Sequence, residues 1–137
     1  MTVRTMVSLL ALGLLAVGAQ GWAQSQRDIG RRSCAEYQAA EKELGEVYNA
    51  VLARYAQDRA LVAKLKRAQQ AWTAYRDAEL AALYPANDKQ AAYGSMYETC
   101  HCNEQKQMTA QRTEVLRQWL NGVEEGNVCA GSRQIAQ

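Results

Sequence analysis

The sequence predicts an all-α protein: an antiparallel three-helix, up-down-up bundle, stapled by a disulfide and followed by an irregular C-terminal tail. Three observations carry this expectation. Cys34, Tyr37, Glu41, Leu44, Tyr48, Val51 and Tyr55 recur at alternating steps of three and four, the stripe of an amphipathic helix. The only proline, Pro85, and the pair Asn121-Gly122 supply sharp stops to two further helical stretches. All four cysteines, Cys34, Cys100, Cys102 and Cys129, lie downstream of an export-signal pattern, where an even count reads as a disulfide framework.

Residues 1–23 read as the signal peptide. Arg4 supplies the positive start, and Met6 to Val17 is an apolar run too short to span a bilayer comfortably. Gly21-Trp22-Ala23 sits in the A-x-A-like position, so cleavage is expected after Ala23, with Ala19 as the alternative. The expected location is therefore periplasmic, with no stable membrane span after cleavage. Residues 24–32 are polar and expected to be a flexible lead-in.

Ser33-Cys34-Ala35-Glu36 fits a capping box, which predicts a first helix running to about Ala56. Asp58 can cap a second, with an inward face of Leu61, Leu65, Ala68, Trp72, Tyr75 and Leu83. Tyr84-Pro85 ends it, because the residue before a proline is pushed out of helical backbone. Ala86 to Tyr93 is a connection with room for a turn of helix. Ser95-Met96-Tyr97-Glu98 is a second capping box, opening a third helix to about Leu120 with a stripe of Tyr97, Met108, Val115 and Trp119. The helical domain thus covers residues 33–120. The tail, 121–137, shows no periodicity and is expected to be unstructured apart from Cys129.

Short connections make the first and third helices parallel, with their starts at one end. Cys34 then comes within reach of Cys100 or Cys102. These two point about 200° apart on a helix, so both cannot face Cys34. The other could bond Cys129, but only if the tail returns nearly fully extended over the roughly 27 Å that the third helix rises, or if that helix ends earlier.

Composition narrows the function. The formal charge is +2 and falls to +1 when the segment bearing Arg4 is removed. That balance gives no reason to expect nucleic acid as a partner. Cys100-His101-Cys102 has C-x-C spacing and the only histidine, which suits neither zinc nor thioredoxin-like redox chemistry. Glu41 and Glu43, or Asp77 and Glu79, are two apart and do not face each other on a helix, so they read as solvated surface rather than paired acid and base. No catalytic residue, metal site or cofactor is expected. Trp72, Tyr75, Arg76 and Asp77 read as a structural motif, with the aromatics in the core and Arg76 or Asp77 satisfying buried polar ends or pairing with another helix; the alternative makes Arg76 a ligand-contacting residue.

Taken together, Cys34-x-x-Tyr37, Glu41-x-x-Leu44, Tyr48, Ala68-Gln69-x-x-Trp72-x-x-Tyr75-Arg76-Asp77, Gly94-Ser95 and Thr109-x-x-Arg112-Thr113-x-x-Leu116 resemble the LprI-type lysozyme-inhibitor family. The resemblance covers about Cys34 to Leu120. It implies a small exported helical domain of a bacterial envelope, with lysozyme or another muramidase as the partner and no enzymatic activity. The family often carries a cysteine soon after the Y-R-D segment, where this chain has Glu79-Leu80. A lysozyme cleft works through two carboxylates, so an inhibitor needs a protruding loop with donors or a cation. Tyr84, Asn87 and Lys89, beside the stiffening Pro85, are the candidate partner-binding residues. The alternative is a structural or interaction module of the envelope that does not bind lysozyme.

Overall fold

A computed structural model describes residues 6–136, with side chains from Gln24 onward. The described chain is helical throughout its length except for short turns and the tail. Four helices form: α1 (Met6–Arg54), α2 (Arg59–Leu83), α3 (Lys89–Tyr93) and α4 (Tyr97–Asn121). Among the described residues, no helix is long and apolar enough to cross a membrane. The signal segment expected over residues 1–23 lies wholly outside the described side chains.

Contacts between α1 and α4 advance together along both chains. Ser95, just before α4, donates to Gln26 (2.7 Å), Cys34 bonds Cys102, Thr109 donates to Glu41 (3.1 Å), and Tyr55 packs on Trp119. The two helices therefore run side by side in the same direction. Contacts of α2 run the other way. Gln69 meets Arg112, Arg76 meets Glu41, and Tyr84 meets His101 and Tyr97.

Apolar burial is concentrated at one end. Leu44, Val51, Tyr55, Leu65 and Leu116 form the core, with Val47, Leu61, Val62, Trp72 and Trp119 packed around it. Tyr55 and Trp119 meet edge to face at 5.6 Å, and the Tyr55 hydroxyl donates to the Trp119 carbonyl (3.0 Å). Towards the other end the α1–α4 seam changes character. Its buried residues there are Ser33, Thr99, Cys102, Thr109 and Thr113. Small side chains let the backbones approach, and the Cys34–Cys102 Cα atoms are 4.9 Å apart. A seam poor in apolar area gains little from burial, at about 25 cal/mol per Å². The disulfide compensates, because closing a loop of 68 residues stabilises the fold by about 4 kcal/mol.

Several expectations need correction. The segment 24–32, read as loose, is helical. Gly30 and Ser33 are buried against α4, and a Cβ on Gly30 would lie 3.3 Å from Glu98 Oε2. Tertiary contact thus carries α1 through the first capping box, and Ser33 caps nothing. Glu36 instead accepts from Lys106 Nζ (2.7 Å). The second capping box also does not form. Met96 is the N-cap of α4 without a side-chain bond, and the Ser95 hydroxyl is used on Gln26. Asp58 caps α2 as expected, accepting from the Leu61 amide (2.9 Å).

The α4 stripe is rotated from the predicted one. Thr99, Cys102, Thr109, Thr113 and Leu116 face inward, and Val115 is exposed. On α2, Tyr75 and Leu83 are likewise exposed, while Leu65, Arg76 and Leu80 are buried. The tail is irregular but anchored. Val123 and Ile135 form an isolated bridge, the Gln134 amide donates to the Tyr55 hydroxyl (3.1 Å), and Arg54 donates to the Gln134 side chain (2.8 Å). Gly122 makes this possible at φ 78°, since a Cβ there would stand 2.8 Å from backbone atoms of Gln134 and Ala136. Cys100 and Cys129 are both exposed and unbridged, so the second disulfide is absent. The tail folds back at the Tyr55 end and never makes the return run along α4.

Candidate functional site

The W-x-x-Y-R-D segment builds a charged hub that ties three helices together. Arg76 on α2 has a side chain only 11% exposed. Its Nη1 donates to Glu41 Oε1 on α1 (2.6 Å), and its Nε and Nη2 donate to Asp77 Oδ1 (3.0 and 2.9 Å). Glu41 Oε1 also accepts from Thr109 Oγ1 on α4 (3.1 Å). Two guanidinium groups lie over the Trp72 ring, Arg76 at 5.3 Å and Arg112 at 6.0 Å from its centroid. Arg112 is fixed by donating from Nε to Gln69 Oε1 (3.0 Å).

The hub's electrostatics follow from this placement. Burial alone would lower the Arg76 pKa, but the Asp77 hydrogen bond and the nearby negative charge outweigh it and raise the value. Burial and the adjacent Glu41 carboxylate push the Tyr37 hydroxyl up, against the opposing pull of Arg76. Arg76 is thus a permanent cation with its donors committed inside the protein. Glu41, read from spacing as solvated surface, is an interhelical acceptor. Its place in the first helical stripe, between Tyr37 and Leu44, was the signal for this. Glu43 does lie outside, where it pairs with Arg117. Tyr75 is 58% exposed and belongs to neither hub nor core.

The second feature is the corner between α2 and α4. Tyr84 packs edge to face on Tyr93 (5.3 Å) and Tyr97 (5.1 Å), and His101 lies 5.8 Å from its ring. Lys89 curls back and donates to the carbonyls of Tyr84 and Ala86, neutralising the end of α2. The Ala86 amide donates to the Tyr93 hydroxyl (3.1 Å), and Asp88 caps α3 through the Ala91 amide (2.9 Å). Pro85, Asn87 and Asp88 remain exposed on this braced turn. The structure therefore brings Tyr84 and Lys89 together in the brace and leaves Asn87 outward.

Below the corner is a cleft of about 330 Å³ lined by Asp77, Leu80, Tyr84, Lys89, Tyr97 and His101. Its charged Asp77 and Lys89 already have partners, Asp77 in Arg76 and Lys89 in the two carbonyls. Burial lowers the His101 pKa and the nearby Lys89 charge adds to this, against a hydrogen bond with Gln105. Its surroundings thus favour the neutral form of the imidazole. Burial raises the Tyr84 hydroxyl, helped by Cys100 and Glu104. Among the described residues, no group of three or more His, Cys, Asp or Glu side chains is placed to hold a metal ion.

No curated protein and no solved structure matches this chain. The family model described as lysozyme inhibitor LprI matches residues 17–116, which take in most of α1, all of α2 and α3 and most of α4. With the Trp72–Asp77 segment at its centre and the Cys34–Cys102 bridge inside its bounds, this chain belongs to the LprI family of lysozyme inhibitors.

Proposed function

We propose that this protein is an exported, periplasmic inhibitor that binds a muramidase and blocks it without catalysing a reaction. Residues 1–23 serve as its cleaved signal. The observation that carries the reading is the family match over residues 17–116. The geometry supports it in one respect. Helices α1, α2 and α4 act as an up-down-up frame, and they present a corner that is already rigid before any partner arrives. Preorganisation of this kind reduces the ordering cost of binding. Tyr84 and Lys89 hold the corner's shape, and Asn87 offers its amide outward.

The test is a cell-wall turbidity assay with purified protein, disulfide intact, titrated into a cationic animal lysozyme and into bacterial muramidases. Dose-dependent slowing of at least one enzyme is expected. Unchanged lysis at a large molar excess against all of them would remove the reading.

A further inference from the structure

Helices α2 and α4 leave one face open between them. Trp72, Tyr75, Glu79 and Leu83 recur at steps of three and four on α2, and Glu104, Met108, Gln111 and Val115 do so on α4. The two stripes line a groove of about 490 Å³. Tyr75, Leu83 and Val115 are 58%, 48% and 45% exposed, so packing accounts for none of these large apolar side chains. Glu79 and Glu104 line the same groove, and neither is in an ion pair among the described residues. The one cation there, Arg112, is spent on Gln69 and Trp72. Leu83 of the groove is followed in the chain by Tyr84 of the corner, although the two cavities share no lining residue.

We infer that this groove is the muramidase-binding surface, accepting an apolar side chain against Tyr75, Leu83 and Val115 and a lysine or arginine between Glu79 and Glu104. The inference rests on the inhibitor reading above and names the surface that reading leaves open. The occupant is a cationic protein surface, because the groove offers unpaired carboxylates beside an apolar wall. A second copy of this chain fits poorly, since docking groove to groove would bring two pairs of carboxylates into one desolvated interface. An exposed aromatic at the centre of such a surface is the usual anchor of binding energy.

The test compares the full exported chain with Tyr75→Ala, Glu79→Lys/Glu104→Lys and the control Lys64→Glu, an exposed change outside the groove. Circular dichroism and melting confirm that each folds. The inhibition constant for a cationic lysozyme is then measured at low and physiological salt. Tyr75→Ala should weaken inhibition by about tenfold or more. The charge reversal should do at least as much and flatten the salt dependence. The control should stay within about twofold. If the unaltered chain inhibits and both groove variants match it, the surface lies elsewhere and the inference is overturned. Self-association of the unaltered chain that Tyr75→Ala abolishes would overturn it too, by assigning the groove to a second copy. If the unaltered chain inhibits nothing, the functional reading itself fails, and this surface assignment falls with it.

Discussion

Replacing Cys34 and Cys102 by serine tests the division of labour along the α1–α4 seam. The bridge joins residues 68 apart. Loop-closure entropy for that length is about 4 kcal/mol. Domains of this size are stable by about 5–15 kcal/mol, so the double variant keeps only the weaker part of that margin. The seam around the bridge is built of Ser33, Thr99, Thr109 and Thr113, which offer little apolar area to take over. Urea unfolding should be run in a Cys100→Ser/Cys129→Ser background, so that the two exposed thiols cannot reshuffle. A loss of about 4 kcal/mol and a fall in melting temperature of roughly 15–25 °C are expected. Amide exchange should speed up at Gly30–Glu36 and Thr99–Cys102 before it does in the Val51–Leu116 core. A loss below about 1 kcal/mol would refute the reasoning. So would an equal loss from the background substitutions alone.

Other perturbations separate the remaining contributions. Arg76→Ala removes the charged donor to Glu41 and leaves it only the hydroxyls of Thr109 and Tyr37. Because Glu41 is 38% exposed, the cost should fall below that of a fully buried pair, at about 2–3 kcal/mol in denaturant unfolding. Arg76→Lys should recover only part of it, since one ammonium cannot span Glu41 and Asp77 while stacking on Trp72. His101 is held below its ordinary value of 6.5, so the unfolded chain binds its proton more readily. Stability should therefore decline as pH drops from about 6.5 towards the lower folded value, and His101→Gln should remove that decline. Glu36 shifts down through its hydrogen bond to Lys106, so its contribution is present above 4.5 and is lost only at more acid pH, outside the histidine window. Gly122→Ala forces a side chain at φ 78° into the tail backbone. It should cost about 1–3 kcal/mol and expose the Val123 and Ala136 amides to exchange, while the disulfide seam stays protected.

The sequence made the helical class, the Asp58 cap, the Pro85 stop and the reach of Cys34 to the start of α4 legible. Each rests on chemistry confined to a few neighbouring residues. It misplaced the beginning of α1 and the capping of α4, because a capping box is only an offer of hydrogen bonds. Gly30, packed on Glu98 and Thr99, and Ser95, bonded to Gln26, found better partners across the structure. It also misjudged the inner face of α4. Stripe reasoning looks for large apolar residues, and here the buried line is threonine and cysteine, chosen for narrowness. The same bias placed Tyr75, Leu83 and Val115 inside when they line an open groove. Of the site, the sequence left open whether Arg76 or Asp77 would meet buried polar ends or another helix; Arg76 reaches Glu41 on α1. Its partner Glu41 was hidden by a comparison with its near neighbour Glu43, when the relevant neighbours were three and four positions away.

The two thiols outside the bridge have a practical consequence. Cys100 stands one turn into α4, and Cys129 lies in the tail beyond that helix's far end. Between them α4 rises about 30 Å, a separation suited to energy transfer between paired dyes. The native chain therefore carries its own molecular ruler. Labelled at these two sulfurs, it would report whether the tail swings away when the Tyr55 clasp is loosened, with no engineered handle needed.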